Sequence, residues 1–255
     1  MIAGQGANSG PRFLAHRGYQ ARYPENTRES LQAAVEAGGR LIEFDVQFSR
    51  DGVPVLLHDA SLLRTGGVDR LVFDLDAAEL ATVEVNESER LKGEFTGVTV
   101  PLLADIAAEL DGWAGVTAFV ELKRHSIEAF GRPTVVSKVL DVLAPVRERC
   151  VLISFDHDVL EETRQQAAVP VGWVLREWSS ATHAAADELQ PEYLFVNKVR
   201  LPADGPVWPG AWNWVCYDIV DYPQALELHA RGIQIISSFD IGRLLAAARD
   251  AEAMP

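Results

Sequence analysis

The chain has 255 residues, 48% of them hydrophobic and 24% charged, and a formal net charge of −14. That is enough apolar material for one large core. The acidity excludes general binding to nucleic acid or anionic membranes unless charge is locally inverted, so an anionic substrate would require a bound metal or well-placed Lys and Arg side chains.

Met1 to Gly10 holds neither a basic segment nor an apolar run, so no signal peptide is expected. No apolar stretch reaches the roughly 18 residues of a membrane span. A cytoplasmic protein without stable membrane association is the expectation. Cys150 and Cys216 lie in apolar runs and are read as buried core residues rather than a disulfide framework.

In chain order, a strand is predicted over Arg12–His16, followed by a loop through Pro24 and Glu25 and a helix over Thr27–Ala37. Either Asn26 or Thr27 serves as its N-cap. A strand at Leu41–Gln47 follows Gly38-Gly39, then Ser49-Arg50-Asp51-Gly52 turns the chain into a strand at Val53–His58. Asp-Gly between apolar runs signals a hairpin, and a hairpin return is antiparallel. Residues 59–100 lack clear periodicity and read as a small insertion that caps one side of the mouth.

Alternation then becomes regular. Helices are predicted at Leu102–Leu110, Val135–Glu148, Val159–Gln166, Ala181–Glu188, Tyr222–Ala230 and Arg243–Glu252. Strands are predicted at Val116–Leu122, Val151–Phe155, Val171–Leu175, Tyr193–Val196, Trp212–Cys216 and Ile233–Ser237. Setting aside the hairpin return leaves eight parallel strands, which gives an α/β fold, a (β/α)8 TIM barrel in a single domain.

Glu43 and Asp45 are two apart on one strand and share a face, while Ile42, Phe44 and Val46 share the other. With the apolar set packed outward on helices, both carboxylates point into the barrel, which is costly unless a cation pairs them. If Asp51 and Gly52 are the turn residues, His58 faces Asp45; shifted by one, it faces Glu43. Hard divalent cations such as Mg2+ and Ca2+ take such oxygen ligands. Glu121 and Lys123 share a face near another strand end, where barrels carry their chemistry. There Glu121 completes a carboxylate set and Lys123 meets a phosphate oxygen. The first strand closes on His16, Arg17 and Gly18, and an arginine there suits phosphate.

These motifs resemble the glycerophosphodiester phosphodiesterase family: His16-Arg17-Gly18, Pro24-Glu25-Asn26-Thr27, Glu43-x-Asp45, Asp51-Gly52 with His58-Asp59, and Glu121-Leu122-Lys123, in order from about Phe13 to Leu245. The resemblance implies a TIM barrel with a small insertion and a Mg2+ or Ca2+ ion held by Glu43, Asp45 and Glu121. It implies His16 and His58 as general acid and base, Arg17 and Lys123 as phosphate contacts, and Trp214 as a wall against the alcohol. The implied reaction is hydrolysis of a small glycerophosphodiester to sn-glycerol 3-phosphate and an alcohol. The family often has W-T-V-N where this chain has Trp214-Val215-Cys216-Tyr217, and T-D where it has Ser238-Phe239.

Residue types leave open which histidine is acid and which base, and whether water or the glycerol hydroxyl attacks. Two alternatives stand beside hydrolysis: cleavage of lysophospholipid or sphingolipid head groups, and a barrel that binds phosphodiesters without turnover. The first needs an apolar groove at the mouth; the second has no need of two proton-transfer groups. Of the other histidines, His157 reads as a helix start, His183 and His229 as surface helix residues, and His125 as a neighbour of the site.

Overall fold

The computed structural model describes residues 10–253, so the stretch read for a signal peptide lies outside the described residues except for Gly10. The chain begins β1 (Arg12–Ala15), α1 (Arg28–Glu36), β2 (Leu41–Phe48) and β3 (Pro54–Leu56). The insertion holds three one-turn helices, α2 (Leu63–Gly66), α3 (Ala77–Leu80) and α4 (Ser88–Leu91). Then come α5 (Leu103–Gly112), β4 (Thr117–Leu122), α6 (Arg124–Phe130), α7 (Arg132–Val142), β5 (Cys150–Ser154), α8 (His157–Gln166), β6 (Val171–Val174) and α9 (Ser180–Leu189). The chain ends with β7 (Tyr193–Asn197), β8 (Asn213–Tyr217), α10 (Tyr222–Ala230), β9 (Ile235–Ser238) and α11 (Ile241–Ala253).

The sheet runs β1-β9-β8-β7-β6-β5-β4-β2, and β1 also pairs with β2, so eight parallel strands close into a barrel. β3 pairs antiparallel on β2 alone, as the hairpin reading expects. The period-two alternation sorts side chains into two layers. Ile42, Phe44, Val46 and Phe48 face out and pack with Leu31, Leu103 and Ile106 of the surrounding helices. Leu14, Phe119, Ile153, Tyr193, Phe195 and Val215 fill the barrel interior. Gly172 belongs to that filling: a Cβ there would lie 2.8 Å from Ile153 Cγ2 and 3.0 Å from the Phe195 ring. Only glycine leaves room for the bulky rings opposite.

Three expectations are corrected. The hairpin pairs Val46 with Leu56 and Gln47 with Val55, a register between the two anticipated. Ser49 N donates to Val53 O, leaving a three-residue loop that ends on Gly52 with φ of 73°. That is a type I turn closed by a left-handed residue, the usual three-residue hairpin solution. The helix expected to run to Glu148 stops at Val142, because the residue before Pro145 is disfavoured in helical geometry. His183 and His229 are half-buried: His183 stacks on Trp208 at 4.6 Å, and His229 Nδ1 lies 2.8 Å from Ile233 O.

Cys150 and Cys216 are buried free thiols whose pKa values burial raises to about 12. Among the described residues, no helix is long and apolar enough to cross a membrane.

Candidate active site

At the C-terminal ends of the barrel strands the apolar filling gives way to charge. Glu43 and Asp45 on β2 point inward with Glu121 on β4, and all three are at most 9% exposed. One oxygen from each lies within 4.8 Å of the others. Lys123 Nζ donates to Glu121 Oε1 at 2.7 Å and sits 3.2 Å from Asp45 Oδ1. Arg17 places Nε 3.3 Å from Asp45 Oδ2, and its backbone N–H donates to Glu43 Oε2 at 2.9 Å.

The charges do not balance. Burial, then Asp45 and Glu121, push the Glu43 carboxyl well above its ordinary range. Burial also works to raise Asp45, but Lys123 and Arg17 outweigh it and hold that carboxyl low. Glu121 is raised, chiefly by burial, despite Lys123. Glu43 Oε1 is buried with no hydrogen-bond partner among the described residues. A buried orphan oxygen beside two more carboxylates fits a hard divalent cation, which takes oxygen donors.

His16 follows β1 and lies between two carboxylates, 3.9 Å from Glu43 and 3.9 Å from Asp218, too far for a hydrogen bond to either. Burial, then the neighbouring Arg17 charge, lower its pKa to about 3, so it is a neutral imidazole at physiological pH. His58 lies beyond the paired part of β3, and its carbonyl accepts from the buried Gln47 side chain at 3.1 Å. Its Nδ1 is 2.7 Å from Asp59 Oδ1, which leaves Nε2 as the free ring nitrogen. Both histidines line one cavity of ≈ 150 Å³ with Arg17, Glu43, Glu121 and Lys123.

Trp214 is not in that cavity. Alternation on β8 turns Val215 and Tyr217 inward and Trp214 outward, where it is 2% exposed, stacks on Trp178 at 5.3 Å and donates from Nε1 to Trp208 O. Tyr217 lines the cavity on the β8 side instead, its ring centroid 6.3 Å from that of His16. Its phenol pKa is raised to about 12, first by burial and then by Asp218.

Sequence reasoning missed the residues that hold this set in place. Asn26 does not cap α1; Thr27 does, accepting from Ser30 N. The Asn26 amide instead brackets Asp45, donating to Oδ2 at 2.8 Å and accepting from its backbone N–H at 3.0 Å. Glu25, 3% exposed, accepts from Arg17 at 3.0 Å and from both Arg64 Nη atoms, at 3.0 and 2.6 Å. Arg64 Nε also donates to Asp59 Oδ2 at 2.6 Å, so one guanidinium from the insertion ties Glu25 to the partner of His58.

Glu87 accepts from Glu25 N at 2.8 Å and from Arg90, which in turn donates to the Gln20 and Tyr23 carbonyls. Arg17, Asn26, Glu87 and Asp218 all have positive φ, an uncommon geometry for non-glycine residues that concentrates here. Within the motif Pro24–Thr27 the signal for Glu25 and Asn26 was present; for Arg64, 39 residues from Glu25 in an aperiodic stretch, there was none.

Arg64→Ala leaves Glu25 and Asp59 without their shared cation. We expect kcat/KM to fall about 10- to 100-fold, the loss typical when an outer hydrogen-bond partner that orients site side chains is removed. Arg64→Lys recovers only part of it, since a point charge cannot replace the two-pronged bond to Glu25. Steady-state kinetics on variants matched for thermal stability checks this, and an unchanged kcat/KM removes Arg64 from the working site.

The sequence profile of the Glycerophosphoryl diester phosphodiesterase family matches residues 16–236. The chain belongs to that family. Among curated relatives, it is 30% identical to Glycerophosphodiester phosphodiesterase 1 of Bos taurus over 168 residues, 65% of this chain and 49% of that one. The chain spans between 45% and 60% of the length of four curated relatives that it matches.

Among solved structures, a glycerophosphoryl diester phosphodiesterase described as putative, from Silicibacter pomeroyi DSS-3, superposes with a TM-score of 0.83 at 22% identity, covering 96% of this chain and 95% of that one. An Oleispira antarctica phosphodiesterase, solved with the product sn-glycerol-3-phosphate, gives 0.82 at 24% identity, covering 94% and 97%. At these identities the likeness establishes the barrel.

Proposed function

We propose that this chain hydrolyses glycerophosphodiesters to sn-glycerol 3-phosphate and an alcohol, with His16 as general base and His58 as general acid. The observation that carries the reading is the convergence of both histidines, Arg17, Lys123 and two of the three buried carboxylates on one small cavity. The product named in the Oleispira antarctica structure is the product proposed here.

Glu43, Asp45 and Glu121 would hold a Mg2+ or Ca2+ ion, which supplies neutralisation of a non-bridging phosphate oxygen when bound. Arg17 and Lys123 present the fixed positive charge on that side, and each is held by carboxylates that orient it. His16, kept uncharged, takes the proton of the attacking hydroxyl. A new bond forms from that oxygen to phosphorus as the bond to the alcohol oxygen breaks; where the attacking hydroxyl is the glycerol's own, water then opens the cyclic phosphate to give sn-glycerol 3-phosphate. His58, its ring oriented by Asp59 at 2.7 Å from Nδ1, gives a proton from Nε2 to the departing oxygen. Tyr217 rather than Trp214 walls the substrate on the β8 side.

A barrel that binds without turnover would have no use for two histidines that line the same cavity. The purified full chain is expected to turn over glycerophosphoglycerol with Mg2+ or Ca2+, to lose that activity in EDTA, and to regain it when metal is restored. Undiminished turnover in EDTA would reject the metal; no turnover with any divalent cation would reject the hydrolytic reading.

A further inference from the structure

The catalytic cavity opens into a larger cleft of ≈ 760 Å³. His58, Glu121, Lys123 and Phe155 line both, so a molecule in the cleft abuts the phosphate site. Four cations line it, Arg64, Lys123, Arg124 and Arg176, against two carboxylates, Asp59 and Glu121. In a chain with 37 acidic and 23 basic residues this is a local inversion of charge.

Both carboxylates are already engaged, Asp59 by His58 and Arg64, and Glu121 by Lys123. Arg124 is paired to Glu128 at 2.9 Å. Arg176 has no ion-pair partner among the described residues; its guanidinium lies over the Phe155 ring at 5.2 Å.

We propose that this cleft receives the leaving alcohol and favours one that carries its own negative charge, with Arg176 as the anchoring residue. The proposal rests on the hydrolytic reading of the adjoining cavity. Recognition of a quaternary ammonium such as choline uses open aromatic faces or free carboxylates. Phe155 is the one Phe, Tyr or Trp lining the cleft, and a cation already covers it. An acyl chain would find Leu63 and Leu71, 53% and 45% exposed, on one side, but would lie against guanidinium groups on the other. An anionic alcohol satisfies the charge and leaves the leucines as walls.

The test compares three substrates that differ in the leaving alcohol. They are bis(glycerophospho)glycerol, in which it carries a second phosphodiester, glycerophosphoglycerol, in which it is neutral, and glycerophosphocholine, in which it is cationic. For the wild type, kcat/KM is expected to be about tenfold higher for the first than for the last. Arg176→Glu should abolish or reverse that ratio. Calorimetric Kd values for the same three compounds on the His16→Asn variant, with and without Arg176→Glu, give a readout free of turnover.

If the wild type hydrolyses none of them yet the Kd order holds and inverts with Arg176→Glu, the cleft stands and the hydrolytic reading falls. A charge preference that is absent, or one that Arg176→Glu leaves in place, overturns the proposal, as does failure of all three to bind.

Discussion

Glu43→Gln is expected to abolish turnover, by about a thousandfold or more, and at the same time to stabilise the metal-free protein. The two effects share one cause. Glu43 is buried beside Asp45 and Glu121, with one oxygen lacking a hydrogen-bond partner among the described residues, so its charge is tolerable only with a cation in the carboxylate set. A neutral amide of the same shape removes the repulsion and one metal ligand together. We expect the melting temperature in EDTA to rise by roughly 2–4 °C, about 1 kcal/mol for a chain this size, and the further rise on adding Mg2+ or Ca2+ to disappear.

The pH dependence has a definite sign. Burial, then Asp45 and Glu121, raise the Glu43 carboxyl above its unfolded value. Its contribution to stability is therefore fully present below the unfolded pKa and lost as pH rises through the folded one. Glu121, also raised, adds in the same direction, while Asp45, held low by Lys123 and Arg17 against the effect of burial, contributes above its unfolded pKa. In EDTA the wild type should lose stability between weakly acid and neutral pH more steeply than Glu43→Gln. Parallel melting curves across that range, with an equal metal response in both proteins, would sink this account.

His16→Ala and His58→Ala are each expected to lower kcat by about 10²- to 10⁴-fold, and the leaving group separates their roles. A p-nitrophenyl phosphodiester departs without needing a proton. On that substrate His58→Ala should regain most of its activity and His16→Ala almost none. The opposite pattern would exchange the acid and base assignments. Because burial and Arg17 keep the His16 pKa near about 3, kcat/KM for this substrate should not fall with the ordinary histidine titration near 6.5.

Most of the barrel was legible because its strands obey simple periodicities. Each of the nine strands lies where alternating or continuous apolar runs place it, within a residue or two. The inward direction of Glu43 and Asp45 follows from Ile42, Phe44 and Val46 alone. What failed to show was set by tertiary contact. The one-turn helices of the insertion are too short for a 3.6-residue pattern, and α6 buries only Ser126 and Ile127 on its inner side.

The hairpin register turned on whether the loop had two residues or three, a matter of one φ angle at Gly52. Trp214 shows a different failure. A motif placed it at the mouth, whereas parity on its own strand, with Val215 facing in, sends it out among Trp178, Trp208 and Trp212. Glu25 and Arg64 meet across 39 residues, and nothing local marks such a pair.

The insertion has a core of its own. Leu57, Leu62, Val72, Leu75, Leu80 and Val85 form an apolar cluster distinct from the two that build the barrel. Its ties to the loop bearing Glu25 are polar contacts through Arg64, Glu87 and Arg90 and one aromatic contact, Phe95 on Tyr23 at 5.3 Å. Such a segment can diverge within its own core while Arg64, Glu87, Arg90, Phe73 and Phe95 keep its seat on the rest of the fold. Change there would reshape the wall of the larger cleft formed by Leu63, Arg64 and Leu71, while Arg176, on the loop after β6, stays with the barrel.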